Sequence, residues 1–539
     1  MIRILLLCAL VFSSSLIFSA APAASKPNIL FILADDLGYS DLGCYGSEIA
    51  TPQLDKLAEN GVRFTQFYNT GRCWPSRASL LTGYYAQQVN RDPKGQRPRW
   101  AMLLPQMLKP VGYHSYHSGK WHVDGPVLAG GFEHSYLVVD QDRHFSPKNH
   151  QLDDKMLPQP KLEDNYYATK AIAAHAVDWL ALHDKEHHGE PFFLYLAFTV
   201  PHFPIMAPAD DIARYKDRYT AGWDVLRDER WNKMKKTGII NCGLSALEPA
   251  VIPDWNKPEA DLKRIIGDKE VAHAFPWNDL TTDQKEFQAA KMAVHAAMID
   301  RMDREIGHVL EKLKAMGAAD NTIIMFASDN GASAEQMIRG DEHDPASTPG
   351  SAKSFLGIGP GWSSAANTPL RRHKSWVHEG GISTPLIINW PAGIKAHGEL
   401  RHAPSHLVDI VPTLLELTGA KSPDKWANED RPALSGNSLV PAFEKDESIP
   451  RDFIFFSHIG NRALRVGDWK IAAAGADGPW ELYNLATDRC EMHNLAAEIP
   501  DKVHELAAIW TQHDEEYKKQ AATAPKGAPG KKGKVAGGD

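Results

Sequence analysis

Residues 27–34 read Pro-Asn-Ile-Leu-Phe-Ile-Leu-Ala and stop at Asp35-Asp36. An unbroken apolar run this short, opened by proline and closed by two carboxylates, predicts a strand buried on both faces, because a half-exposed strand alternates polar and apolar residues. Similar runs recur at residues 192–198, 322–327 and 385–390, with helical patterns between them. The clearest helix is expected over 284–316. There Met292, Ala296, Ile299, Ile306, Val309 and Leu313 recur at three- and four-residue steps, and Asp300, Asp303, Arg304 and Glu311 are expected to face away. Thr281 with Gln284 makes a capping box, and Gly317 a terminator. Strands alternating with helices imply an α/β fold, a large, mainly parallel sheet sandwiched by helices.

Beyond about residue 425 the texture changes to short strand patterns with glycine turns, followed by a helix near 501–517, a smaller C-terminal α+β subdomain over 426–520. The main domain then spans 24–425. Residues 521–539 carry almost no apolar bulk and are expected to be disordered. At the other end, Arg3, an apolar stretch and the small-residue run before Ala23 read as a signal peptide over residues 1–23, so the protein is expected to be secreted or periplasmic. No later segment reads as a membrane span. The mature chain keeps Cys44, Cys73, Cys242 and Cys490, too few for a disulfide scaffold. A net charge of -8 without a basic run excludes nucleic acid as a partner on electrostatic grounds.

In parallel sheets ligands bind outside the carboxyl ends of the strands. The strand endings are therefore informative. The first ends in Asp35-Asp36, the 322–327 run in Ser328-Asp329-Asn330-Gly331, and the 192–198 run leads into Pro201-His202. Each pair alone is an ordinary turn. Together Asp35, Asp36, Asp329 and Asn330 form a hard-oxygen set suited to calcium, with magnesium second and zinc poorly matched. Three clustered carboxylates without a cation would repel or take up protons.

Cys73-Trp74-Pro75-Ser76-Arg77 opens an apolar helical run that ends in Thr82-Gly83. A lone cysteine in such a run is usually a buried thiol. Here it is accompanied, in order along the chain, by Asp-Asp at 35, Gly119-Lys120-Trp121-His122, Pro201-His202-Phe203-Pro204, Ser328-Asp329-Asn330-Gly331, and Lys374 followed by Glu379-Gly380-Gly381. This ordered set resembles the type I sulfatases of the alkaline phosphatase-like superfamily over roughly residues 26–520, and Tyr219-Thr-Ala-Gly-Trp-Asp-Val-Leu-Arg227 with Ile299-Asp-Arg-Met-Asp-Arg304 looks most like the bacterial arylsulfatase branch. The resemblance implies that a formylglycine-generating enzyme oxidises Cys73 to formylglycine. Its hydrate would attack sulfur, and a calcium ion held by Asp35, Asp36, residue 73, Asp329 and Asn330 would lower the pKa of that nucleophile. It further implies that Arg77, Lys120 and Lys374 bind the sulfate oxygens or steady the diol, that His202 protonates the leaving oxygen, and that His122 takes the proton of the second diol hydroxyl.

The expected partner is a sulfated small molecule or glycan. Two alternatives stay open: a phosphoester hydrolase of the same superfamily, and a non-catalytic sulfated-glycan binder with unmodified Cys73. Trp74 and His373 depart from the family pattern, the first expected to narrow the pocket and the second to add a proton donor or a sugar contact. His144, Trp362 and His458 fit either the substrate side or a structural role. The natural substrate, the oligomeric state and the pairing of Cys44, Cys242 and Cys490 do not follow from the sequence.

Overall fold

A computed structural model of the chain describes residues 26–338 and 343–523. The expected signal peptide, and the tail beyond residue 523, lie outside the described residues.

The main sheet contains β1 (Asn28–Ala34), β2 (Val62–Tyr68), β3 (His114–Gly119), β4 (His134–Val138), β5 (His150–Leu152), β6 (Lys155–Met156), β7 (Phe192–Ala197), β8 (Thr322–Ser328), β9 (Ser383–Asn389), β10 (Glu399–Arg401) and β11 (Ser405–His406). Its order is β10-β2-β9-β8-β1-β7-β3-β4-β5-β6, with β11 beside β2. β1 lies centrally and pairs parallel with both β7 and β8. β9 runs antiparallel within this mainly parallel sheet, pairing with β2 on one side and β8 on the other, and the edge strands β4, β5 and β6 also pair antiparallel. All four expected strands are present.

Apolar side chains leave β1 on both faces. Leu30 and Ile32 join one core layer with Met292, Ala296 and Ile299 of the helix Thr282–Ala315. Ile29, Phe31 and Leu33 join the opposite layer with Leu80 and Leu81 of the helix Cys73–Thr82. Thr281 caps the long helix as expected: its Oγ1 accepts from Gln284 N at 3.3 Å, and Gln284 Oε1 accepts from Thr281 N at 3.0 Å.

One expectation about that helix is overturned. Asp300 and Asp303 do not face water; both are buried. Asp303 accepts from the backbone N–H groups of Gln53 (3.0 Å) and Leu54 (2.9 Å), satisfying donors at the start of the helix Pro52–Glu59. Asp300 accepts from Tyr215 Oη (3.0 Å) and Arg304 Nε (2.9 Å). A second element packed over this polar stripe converted it from a solvated face into an internal one.

A hairpin, β12 (Lys425–Trp426) and β13 (Glu429–Asp430), precedes the C-terminal unit. That unit is an antiparallel sheet of β14 (Ile454–His458), β15 (Asn461–Val466), β16 (Trp469–Ala473) and β17 (Glu481–Asn484), with the helix Pro500–Ala521 packed on β15 and β16. Phe455, Leu464, Ile471 and Leu506 form its core together with Tyr85 and Val408 of the main domain. Buried Lys470 also reaches Glu379 (2.9 Å), just before β9. Cys242 and Cys490 are disulfide-bonded, closing 248 residues between the two parts. Among the described residues, no helix is long and apolar enough to cross a membrane.

Candidate active site

The sheet explains why residues scattered over 340 positions can meet. β1, β3, β7 and β8 run parallel, so Asp35-Asp36, Lys120, the loop to His202, and Asp329-Asn330 all emerge at one rim. β2 also runs parallel to β8, since each is antiparallel to β9. It delivers Cys73 to the same rim through residues 69–72. Antiparallel β9 enters the sheet there, which puts the preceding segment, with Lys374, over the same edge. Gly119 has φ +121°, and a Cβ on it would lie 1.8 Å from the carbonyl oxygen of Ala197. Only glycine lets β3 stay against β7 while Lys120 turns inward.

Cys73 is the first residue of a ten-residue helix that is buried throughout. Its motif neighbours hold it there. Ser76 Oγ accepts from Thr70 N (3.1 Å), pinning the strand-to-helix loop. Arg77 donates from Nε to Asp329 Oδ2 (2.9 Å) and from Nη1 to the carbonyl of Lys120 (2.8 Å). Arg77 is thus turned toward the carboxylates. Cys73 lies within electrostatic reach of Arg77, Lys120, Asp329 and Lys374. The positive end of the helix lies at the same place, a favourable environment for an anion.

Lys120 Nζ donates to Asp35 Oδ2 (2.7 Å). Lys374 Nζ donates to Asp36 Oδ2 (3.0 Å) and Glu335 Oε2 (2.9 Å), and lies 3.3 Å from His202 Nε2. Asn330 Nδ2 donates to Asp36 Oδ1 (2.6 Å). Among the described residues, buried Asp35 Oδ1 and Asn330 Oδ1 have no hydrogen-bond partner. Orphaned buried acceptors are costly. Two of them among three carboxylates offer oxygen ligands to a cation, and ligand atoms of Asp35 and Asp36 lie within 4.8 Å of each other and of a ring nitrogen of His202.

The electrostatics agree. Burial opposes ionisation of Asp35, yet Lys120, His202, Arg77 and Lys374 hold it well below the usual carboxylate range. Burial, against Lys374 and aided by the charges of Asp35 and Glu335, pushes Asp36 up to about 6. Burial and the charge of Asp35 also push Asp329 far up, despite Arg77. The cluster therefore favours added positive charge, which a cation would supply in place of protons. Burial and the neighbouring Lys374 push His202 down to about 3. Its Nδ1 donates to the carbonyl of Phe203 at 2.5 Å, which leaves Nε2 as the nitrogen facing Lys374.

His122 joins the group through Trp74, the neighbour of Cys73: the rings are 5.8 Å apart, and His122 Nε2 is 3.2 Å from Lys94 Nζ. Trp74, with Arg72 over one part of its ring at 4.9 Å and His458 edge-on at 5.4 Å, forms a wall of a cleft of about 910 Å³. Asp92, Lys94, Arg462, Trp510 and Lys518 also line it, so the main domain and the C-terminal unit share it. His458 is held by Asp92 (2.8 Å). His144 is buried, close enough for the charge of His202 to act on it. Trp362 belongs to the core, edge-on to Trp223 and tilted against Trp277, with Nε1 donating to the carbonyl of Gln288 (2.7 Å). His373 is buried against Ser363 Oγ (2.8 Å), and burial pushes it down to about 4.

Two charged residues of this cluster were not anticipated. Glu335 accepts from Lys374, Arg72 (3.2 Å), Ser333 (2.9 Å) and Trp255 (2.7 Å). Arg72 also donates to Ser375 (2.9 Å), next to Lys374. Neither belongs to a recognisable motif; their positions, one residue before Cys73 and four after Gly331, are the only sequence hints.

A family model described as Sulfatase matches residues 27–420, and one described as N-sulphoglucosamine sulphohydrolase, C-terminal, matches residues 372–519. An uncharacterized sulfatase of Schizosaccharomyces pombe is 32% identical over 552 residues, covering 93% of this chain and 95% of its own. The arylsulfatase of Klebsiella aerogenes is 32% identical over 439 residues, covering 74% and 88%. An N-acetylglucosamine-6-O-sulfatase of Bacteroides thetaiotaomicron is 26% identical, covering 92% and 87%. Among solved structures, the PsFucS1 sulfatase of Pseudoalteromonas sp. superposes with a TM-score of 0.60 at 20% identity, covering 93% and 92%, which shows a shared fold. By these matches the chain belongs to the sulfatase family, as a sulfuric ester hydrolase.

Proposed function

We propose that this sulfatase is exported after loss of residues 1–23, that residues 24–425 form its catalytic domain and 426–520 a subdomain completing the substrate cleft, and that it depends on calcium and on formylglycine made from Cys73. The observation that carries this reading is the pair of unpartnered buried oxygens, Asp35 Oδ1 and Asn330 Oδ1, in the cluster around Cys73. Asp35, Asp36, Asp329 and Asn330, with residue 73, would hold the calcium ion, whose charge would acidify the nucleophile and neutralise the sulfate. Formylglycine, as its hydrate, would supply an oxygen nucleophile in place of sulfur.

Charge counting supports an anionic substrate. Asp35, Asp36, Asp329 and Glu335 are matched by Arg72, Arg77, Lys120 and Lys374. A divalent cation added to this balanced set leaves it positive. Lys120 and Lys374 are the donors best placed for sulfate oxygens, each swinging from a carboxylate that the cation would engage. Arg77 acts by holding Asp329 and the Lys120 backbone. His202, relieved of repulsion from Lys374 when that lysine turns to sulfate, protonates the leaving oxygen. His122, beside Trp74, accepts the proton released from residue 73.

The test is a mass spectrum of the peptide spanning Cys73, from protein made in its native host, with turnover measured on sulfate and phosphate monoesters. Formylglycine with sulfate turnover is the expected result. A quantitative free thiol would leave only the binding-protein reading, and faster turnover of phosphate esters would favour the phosphoester hydrolase.

A further inference from the structure

The opposite end of β3 carries a second cluster. β3 begins at His114 and stops before Lys120, so at about 3.3 Å per residue the two ends lie ~20 Å apart. His114 Nδ1 is 2.9 Å from Glu133 Oε2, and its Nε2 is 2.7 Å from Glu190 Oε2. His187, which caps the helix Ala168–Glu186, lays its ring flat on that of His114, with centroids 3.6 Å apart and planes at 21°. One ligand atom from each of His114, Glu133 and His187 falls within 4.8 Å of the others. All three residues are half-buried, within reach of an ion from solvent.

Ion pairing accounts for His114 and not for His187. Both nitrogens of His114 face a glutamate. Among the described residues the ring of His187 makes no hydrogen bond, and its one ion pair, to Glu190, is long at 3.9 Å. Its place at the end of a 19-residue helix puts it at the negative pole, where a cation is favoured. The arrangement has the parts of a metal site: two imidazoles, a carboxylate, and a second carboxylate on the far nitrogen of a ligating histidine, as outer-shell partners of such histidines are placed. Two nitrogen ligands suit zinc and suit calcium poorly.

We propose that His114, through the nitrogen facing Glu133, together with Glu133 and His187, whose ring turns out of its stack on His114 to aim a nitrogen at the same point, binds one zinc ion, with Glu190 accepting the remaining N–H of His114 and water completing the coordination. Binding displaces the proton that His114 shares with Glu133. The ion would clip together the start of β3, the segment before β4 and the end of the helix, on the edge of the sheet away from Cys73.

The test is titration of the calcium-loaded protein with zinc chloride by calorimetry, with metal counted by mass spectrometry after dialysis. One zinc per chain is expected with micromolar or tighter affinity, raising Tm by ~2–3 °C at a hundredfold excess over Kd. H187A and E133Q, the second a near-isosteric change, should each weaken binding at least ~10-fold, the loss seen even for outer-shell partners. No saturable zinc in the wild type, or wild-type zinc affinity in both variants, would overturn the proposal.

Discussion

Glu335→Gln tests the electrostatic logic of the cluster directly. Glu335 is fully enclosed and accepts from Lys374 at 2.9 Å and from Arg72 at 3.2 Å. The amide keeps the shape and removes the charge. Among the described residues Lys374 then keeps Asp36 as its carboxylate partner, and Arg72 loses its pairing with Glu335. Breaking one side of a buried pair costs about 3–5 kcal/mol. For a chain of roughly 500 ordered residues, with an unfolding entropy near 1 kcal/mol/K, that is a fall in Tm of ~3–5 °C. The effect on catalysis is separable. A charge-assisted hydrogen bond is worth about 1.5–3 kcal/mol, so losing the one that orients Lys374 should lower kcat/KM about 10- to 150-fold. Lys374→Met, which removes the donor itself, should lower it about 10²- to 10³-fold. The assay is nitrophenyl sulfate hydrolysis by formylglycine-containing protein, run as a double-mutant cycle. If Glu335 acts through Lys374, E335Q on the K374M background costs less than about threefold. An undiminished loss on that background, or no loss in the single variant, refutes the reasoning.

His202→Ala should slow alkyl or sugar sulfates by roughly 10²- to 10⁴-fold and nitrophenyl sulfate far less, since a good leaving group scarcely needs a proton; equal losses on the two classes would count against the assignment. Burial pushes His117, His378 and His406 down to about 3, and His144 and His373 to about 4. Each is neutral when folded and takes up a proton when unfolded below pH 6.5, so stability falls with acidification, by ~1 kcal/mol per histidine between pH 6.5 and 5.5. Asp303 and Glu491, which burial pushes up to about 7, gain protons in the folded state over the same range and recover about half of this. The net expectation is a Tm lower by ~2–3 °C at pH 5.5 in a thermal scan, and an unchanged or higher value contradicts it. Cys490→Ser, which opens the loop of 248 residues, should cost about 2–5 kcal/mol and be read as a Tm lower by ~2–5 °C, matched by wild type under reductant.

Much of the site was legible because a parallel sheet makes strand endings predictable neighbours. Asp35-Asp36 and Asp329-Asn330 follow two apolar runs, and those runs are paired in the structure, Ala34 opposite Ser328. Less legible were the strands that carry Cys73 and Lys120. β2 reads Val-Arg-Phe-Thr-Gln-Phe-Tyr and β3 His-Ser-Tyr-His-Ser-Gly. Their polar residues break the apolar pattern, because they hydrogen-bond inside the fold, as Ser118 Oγ does to the carbonyl of Ile172 (2.7 Å). The same cause misdirected the reading of Asp300 and Asp303, since periodicity distinguishes polar from apolar and not buried from exposed.

Local chemistry, carried in order along the chain, was enough to define the α/β class, the meeting of Asp35-Asp36 with Asp329-Asn330 at one rim, the cysteine with its helix, and the smaller C-terminal unit. Distance was beyond it. That Glu335 and Arg72 lock Lys374, that Arg77 faces carboxylates, that Trp74 meets the C-terminal unit across a cleft, and that Cys242 pairs with Cys490 are all contacts between segments far apart in sequence. Such contacts depend on strand order and on the antiparallel entry of β9, which no short window of residues encodes.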